Sequence, residues 1–124
     1  RPKAVNTVAV MADTFHAVSC GDDHKCYVWH IASGKPQMLF AQHTGPVMAV
    51  ANQFDSSWIL SAGYNMPLDA PEPGGQFRIW YWRQGKQMNA NKEMRYDHSS
   101  PYFSATWLPM WRTLALGTGR GDTE

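Results

Sequence analysis

Cysteine is scarce in this 124-residue sequence, with only Cys20 and Cys26, six positions apart. Two such residues make no disulfide framework. They exclude the small stapled secreted scaffolds and read as small buried thiols of a reduced, intracellular protein. Long apolar runs are missing too. No segment approaches the roughly 18 apolar residues of a spanning helix, and Arg1-Pro2-Lys3-Ala4-Val5 carries no secretion-signal core, so no membrane insertion is expected. Neither charge is in excess: Lys plus Arg number 11 and Asp plus Glu 10, a net charge of +1. No basic field advertises nucleic acid and no acidic one a store of cations. Helical periodicity is nearly absent. There is no initiating Met, and at this length the chain reads as one domain or a piece of a larger one.

Aromatic residues, by contrast, are plentiful: 13% of the chain, with six Trp. Trp rings bury large areas and need a partner for the ring N–H, which suits a packed β body. Period-two alternation runs through Val5 to Val10, Phe15 to Cys20, Lys25 to Ile31 and Gln37 to Ala41. Between them lie Asp13-Thr14, the tight Asp22-Asp23-His24 turn and Ala32-Ser33-Gly34-Lys35-Pro36. Four short strands with regular turns predict a meander.

The pattern then restarts. An offset of 42 residues pairs Val5 with Val47, Val8 with Val50, Ala9 with Ala51, Asp13 with Asp55, Ser19 with Ser61 and Gly21 with Gly63. A period near 40 marks propeller blades, each a four-stranded antiparallel sheet. The second repeat carries an insertion over residues 66–75, whose three Pro and two Gly argue against continued strand. Strand three resumes at Gln76, and Lys86 to Tyr96 holds strand four. A third start follows at His98, with strand one running through Trp107 and Arg112 to Thr118 as strand two. The expected organisation is all-β: a first blade over 1–42, a second over 43–97 and a partial blade over 98–124. About two and a half blades cannot close a ring. The chain is therefore expected to be a fragment of a larger propeller, or to have its end blades covered by partner chains.

These repeats resemble the WD-repeat family of β-propellers. The resemblance implies a relay in each blade: Trp N–H on strand three, hydroxyl on strand two, His before strand one, and Asp in the turn between strands two and three. Carried over by position, the first blade has Ser19, Asp23 and Trp29, with Arg1 in the His place. The second has His43, Ser61 and Trp80, with Gly74 in the Asp place and Asp69 as a nearby substitute. The third has His98, with Thr118 and Asp122 four apart as Ser19 and Asp23 are. His30 and Tyr81 follow the two Trp residues where the family usually has Asp. Within the family, the chain is similar to the messenger-RNA export factor and spindle-checkpoint group. That similarity rests on Ser19-Cys20 leading to Asp23, on Ala41-Gln42-His43 before Pro46-Val47, and on Pro109-Met110 before an apolar strand.

Other chemistry is less well supported. Cys20, His24, Cys26 and His30 are spaced as zinc ligands, but alternation on a hairpin scatters them, and no metal or other cofactor is expected. His43 and His98 lack a nucleophile or carboxylate in a catalytic arrangement, so the chain reads as no enzyme. Gly117-Thr118-Gly119-Arg120-Gly121 lacks the Gly-Lys-Ser/Thr ending of a phosphate loop, and Arg120-Gly121-Asp122 is a chance adhesion tripeptide. Lys86, Lys92, Arg95 and Arg112 with Tyr81, Trp82, Tyr96, Tyr102 and Trp107 suit single-stranded RNA in kind, though strand aromatics are more often packed. Trp82 is assigned outward, as a partner contact, on the expectation that it and Trp80 cannot both be buried against one neighbour. The expected function is a protein-interaction scaffold. The resemblance makes it export-factor-like: a binder of a nucleoporin segment at the nuclear pore, in the nucleus, with RNA nearby. The alternatives are a WD-repeat subunit of another complex and an RNA- or metal-binding module.

Overall fold

The computed structural model describes residues 3–52, 58–66, 74–82, 86–87, 95–98, 101–108 and 113–118. All the regular structure among them is β. The first sheet is a four-stranded antiparallel meander of β1 (Val5–Val10), β2 (His16–Gly21), β3 (Cys26–His30) and β4 (Lys35–Phe40). The second follows the same course through β5 (Val47–Asn52), β6 (Trp58–Asn65) and β7 (Gly74–Tyr81). Its outer edge holds two short pieces, β8 (Lys86–Gln87) and β9 (Arg95–His98), both paired with β7. A third sheet pairs β10 (Tyr102–Leu108) with β11 (Thr113–Thr118).

Local chemistry sets the turns. In the first, Thr14 N–H donates to Met11 O at 2.9 Å, and Asp13 Oδ1 accepts from Phe15 N at 2.9 Å and His16 N at 3.2 Å. Thr14 takes a left-handed φ of 63°. The β2–β3 turn is a three-residue loop. His24 N–H donates to Gly21 O, Gly21 N–H donates back to Lys25 O, and His24 sits at φ 69°. A left-handed residue closing a three-residue loop suits hairpins of that length.

The repeat is also visible in the ladders. Each sheet has the same bulge at the start of its first strand. Val5 faces Gly21 before the register shifts to Thr7 and Cys20, Val47 faces Gly63 before Ala49 and Ala62, and Tyr102 faces Thr118 before Ser104 and Gly117. At the bulge the backbones approach closely: a Cβ on Gly21 would strike Ala4 O, and one on Gly63 would strike Pro46 O. Those carbonyls accept from Asp22 N and Tyr64 N, each at 2.9 Å. In these two sheets the neighbouring carbonyl leaves no room for a side chain, which glycine alone satisfies.

Two cores separate the three sheets. Val18, Cys20, Cys26, Val28 and Phe40 of the first sheet, with Met11, meet Val47, Val50, Ile59, Trp80 and Trp82 of the second region. Ala51, Leu60, Ala62 and Ile79 on the opposite face of the second sheet pack with Tyr102 of the third. Two asparagines tie the first junction. Asn6 Nδ2 donates to Asp22 Oδ1 (2.7 Å) and to Val47 O (3.0 Å), and Asn52 Oδ1 accepts from Ala12 N (2.7 Å).

Three expectations change in detail. Gly74 and Gly75, placed in the insertion, are strand residues paired with Asn65 and Tyr64. The ladder therefore runs three rungs beyond its counterpart in the first sheet, and residues 67–73 lie outside the described ones. The described fourth-strand residues form two pieces, β8 and β9, both paired with β7, and residues 88–94 lie outside the described ones. His98, placed at the head of the third blade, pairs with Gly75 and so ends the second sheet.

Candidate functional site

The residues that carry chemistry lie at the junction of the first two sheets. Ser61 on β6 is fully buried, and its Oγ accepts from the Trp80 indole N–H at 3.0 Å and lies 2.5 Å from His43 Nε2. The two strands bring them together because Ile59 faces Trp80 and Ser61 faces Arg78, so the ring leans two rungs along β6. Burial pushes the His43 pKa down to about 3, with the charges of Arg78 and His24 adding to the effect. At neutral pH the imidazole is uncharged. While it accepts from Trp80, the Ser61 hydroxyl still has its own proton to donate; in the tautomer where that proton goes to Nε2, the imidazole proton sits on Nδ1. That atom is buried and has no partner among the described residues. Thr44, beside it in sequence, donates to Asn65 Oδ1 at 2.8 Å.

The first sheet repeats the inner half of this arrangement. Trp29 Nε1 donates to Ser19 Oγ at 2.9 Å, but both groups are only partly buried. Asp23 Oδ1 accepts from Lys25 N at 3.2 Å, so the carboxylate serves its own turn. In the third sheet the register puts Leu116, not Thr118, where Ser19 and Ser61 stand, because Leu116 faces Ala105 as Ser61 faces Val50. Thr118 faces Tyr102, in the place of Gly21 and Gly63. Spacing along the sequence had missed the position by two residues. His98 ends β9, while Arg1, Asp69 and Asp122 lie outside the described residues.

Two other expectations are corrected. Trp82 is not outward: it is buried, and its ring lies 4.7 Å from His16 across the junction. Residues 80 and 82 are two apart, so alternation puts both rings on the same face, toward the first sheet. Tyr81, between them, points the other way and meets Trp58 at 4.7 Å. Cys20 and Cys26, expected as separate thiols, are joined as a disulfide. They face each other directly across β2 and β3, with Cα atoms 4.2 Å apart. His30, the fourth member of the zinc-like spacing, lies at the other end of the ladder, opposite His16. His16 Nδ1 in turn lies 2.8 Å from Asp13 Oδ2. Of the aromatics considered for RNA, Trp82 and Tyr102 are buried and unavailable for stacking. Lys92 and Arg112 lie outside the described residues.

A surface that sequence reasoning did not resolve residue by residue is the outer face of the first sheet. Rows run Val8–Ser19–Tyr27–Leu39 and Val10–Ala17–Trp29–Pro36. Val8 is 62% exposed and Val5 63%, whereas Val50 and Val47, their repeat counterparts, are 8% and 0% exposed. Ile31 is 48% exposed where its counterpart Trp82 is 8%. The exposed face is thus the same face that the second sheet buries against the first. No helix among the described residues is long and apolar enough to cross a membrane.

Comparison with known proteins agrees with the repeat. Residues 2–30 and 34–69 match the family model described as WD domain, G-beta repeat. No curated protein matches the chain. Among solved structures, the Myceliophteria thermophila Cps50 (Swd1) β-propeller domain is similar with a TM-score of 0.78 at 13% identity, over 99% of this chain and 34% of that one. The structure of U3-55K gives 0.74 at 13% identity, over 94% and 34%. A chain of the Mitotic Checkpoint Complex gives 0.73 at 23% identity, over 95% and 33%. The chain therefore spans about a third of the length of the structures it matches. These likenesses establish the fold, and with the matched repeats they place the chain in the WD-repeat family of β-propellers.

Proposed function

We propose that this chain is a section of a WD propeller that acts as a non-enzymatic protein-interaction scaffold within a multiprotein complex. The observation that carries this is the WD repeat itself, matched over residues 2–30 and 34–69 and built as successive antiparallel sheets. The outer face of the first sheet displays Val8, Ile31 and Leu39 at 48% exposure or more, and because its repeat copy is a buried sheet-to-sheet contact it suits a further sheet rather than a small substrate. His43 is the one buried imidazole of the relay, neutral and bonded to Ser61, and is positioned to hold the junction rather than to move protons.

The finer reading is export-factor-like: a nucleoporin segment bound at the nuclear pore, with RNA nearby. It is supported by the Ser19-Cys20, Ala41-Gln42-His43 and Pro46-Val47 runs and by the likeness to a chain of the Mitotic Checkpoint Complex. The test is a pull-down of the full-length protein with an immobilised nucleoporin segment. Capture that a scrambled segment does not give supports the reading. Failure to bind removes the nucleoporin claim and leaves the chain as a WD-repeat subunit of another complex, to be found by crosslinking.

A further inference from the structure

We propose that Cys20 and Cys26 form a reversible redox latch on the junction between the first two sheets. Three observations place it there. The two residues are directly opposed on neighbouring strands, with Cα atoms 4.2 Å apart, the spacing of a closely approached, non-hydrogen-bonded antiparallel pair. The hydrogen bond from Gly21 N to Lys25 O, one rung further along, fits that assignment. Both cysteines are almost completely buried, at 2% and 0% exposure. The same row continues to Phe40, the partner of Cys26 on β4, which stacks on Trp80 of the second sheet. The sulfurs thus sit in the layer that carries the sheet-to-sheet contact.

Reduction changes what this layer must accommodate. Two thiols, each with its own proton and no bond between the sulfurs, occupy more room than the bonded pair, and a close-packed core has no spare volume. The neighbours able to move are Phe40, Val47 and Trp80, all in the same core. Loosening Trp80 disturbs its bond to Ser61 and, through Ser61, the buried His43. Oxidation therefore tightens the junction and reduction relaxes it. The reductant is a dithiol. One of its thiolates attacks a protein sulfur, the Cys20–Cys26 bond breaks, and a mixed disulfide forms. The second thiolate then displaces the protein thiolate. Two electrons pass to the protein, each cysteine takes up a proton, and the reductant leaves as its own disulfide. Because neither sulfur is exposed, attack waits for the junction to open.

The test uses the full chain equilibrated with oxidised glutathione, then denatured, alkylated and weighed intact. The latch predicts no alkylation before treatment with dithiothreitol and two alkylations after it. It also predicts a higher melting temperature and altered Trp fluorescence in the oxidised form, differences lost in a Cys20→Ala/Cys26→Ala variant. Native reduction should be slow and should accelerate about tenfold or more in Phe40→Ala. If that variant does not fold, rising sub-denaturing urea on the wild-type chain serves the same purpose. Free thiols or two glutathione adducts after oxidation overturn the proposal. So do identical melting temperature and fluorescence in the two states, or a native reduction rate as fast as that of the unfolded chain.

Discussion

Phe40 lies flat on Trp80, the two rings parallel with centroids 4.4 Å apart. One comes from the last strand of the first sheet and the other from the third strand of the second, so this stack is the centre of the junction. Phe40 is 4% exposed and Trp80 fully buried. Phe40→Ala leaves a cavity beside a ring that cannot follow it, and should cost about 3–5 kcal/mol. Urea denaturation of variant and wild type measures this. A loss below about 1 kcal/mol would mean that the stack does not hold the sheets together.

The relay gives a graded prediction. Ser61→Ala leaves the Trp80 N–H and His43 Nε2 unpaired in a buried site, at about 1–3 kcal/mol each. Ser19→Ala removes the corresponding bond to Trp29 where water has access, and should cost about 0.5–1.5 kcal/mol. The two variants share repeat position and the bond to Trp, and differ in cover and in the second partner, His43, that Ser61 holds. Equal losses in thermal or chemical denaturation would contradict the role given to burial.

Acid should weaken the protein through His43 before it does so through carboxylates. The folded imidazole has a pKa of about 3, held down first by burial and then by Arg78 and His24, against about 6.5 in the unfolded chain. Between those values the unfolded state binds a proton that the folded state does not. Stability is then fully present above about pH 6.5 and falls as pH drops toward 3, by about 1.4 kcal/mol per unit at most and on the order of 5 kcal/mol in all. Asp13 acts lower. Burial raises its pKa, but the His16 side chain and the backbone N–H groups of Phe15 and His16 hold it net below its ordinary value, so its contribution is lost only in stronger acid. A His43→Gln variant should flatten the unfolding free energy between pH 6.5 and 4. An unchanged slope would place the titrating group elsewhere.

The backbone of the β2–β3 turn offers a separate check. His24 holds a φ of 69°, a region that costs ordinary L-residues about 1–2 kcal/mol and glycine little. His24→Gly should stay within about 1 kcal/mol of wild type on either side. His24→Val, branched at Cβ, should lose about 1–2 kcal/mol. Melting curves of the two separate the conformational effect from loss of the imidazole, which both share.

Much of the fold was legible because it is repeated. The 42-residue offset linked Ser19 to Ser61 and Gly21 to Gly63, and the ladders put each pair in the same place. The bonds from Trp29 to Ser19 and from Trp80 to Ser61, which the family resemblance implies, are both present. Errors arose where position depends on the partner strand. Thr118 has the right spacing but stands opposite Tyr102, because register comes from the neighbouring strand rather than from sequence distance. Trp82 shares the buried face of Trp80, as their separation of two residues dictates. The opposition of Cys20 and Cys26 follows from the three-residue turn between their strands, whereas the bond between the sulfurs has no sequence signal. Arg78, buried with its Nε donating to Gln76 Oε1 at 3.2 Å, had no signal in the sequence at all.

The outer face of the first sheet supplies the last prediction, because the repeat provides its own control. Val8 and Val50 are the same position in successive blades, one 62% exposed and the other 8%. Val8→Lys puts a charge in water and should change stability by no more than about 0.5 kcal/mol. Val50→Lys buries an ammonium among Ile59, Val18 and Trp80 of one core, where an unpaired charge costs several kcal/mol, and should abolish cooperative unfolding. The surface variant should also reduce self-association of the isolated chain, since a lysine interrupts the apolar patch that a neighbour would cover. Light scattering against concentration, run beside melting curves, reads both effects. If Val8→Lys destabilises as strongly as Val50→Lys, the first face is already covered in solution. If it leaves association unchanged, that face is not where copies of the chain meet.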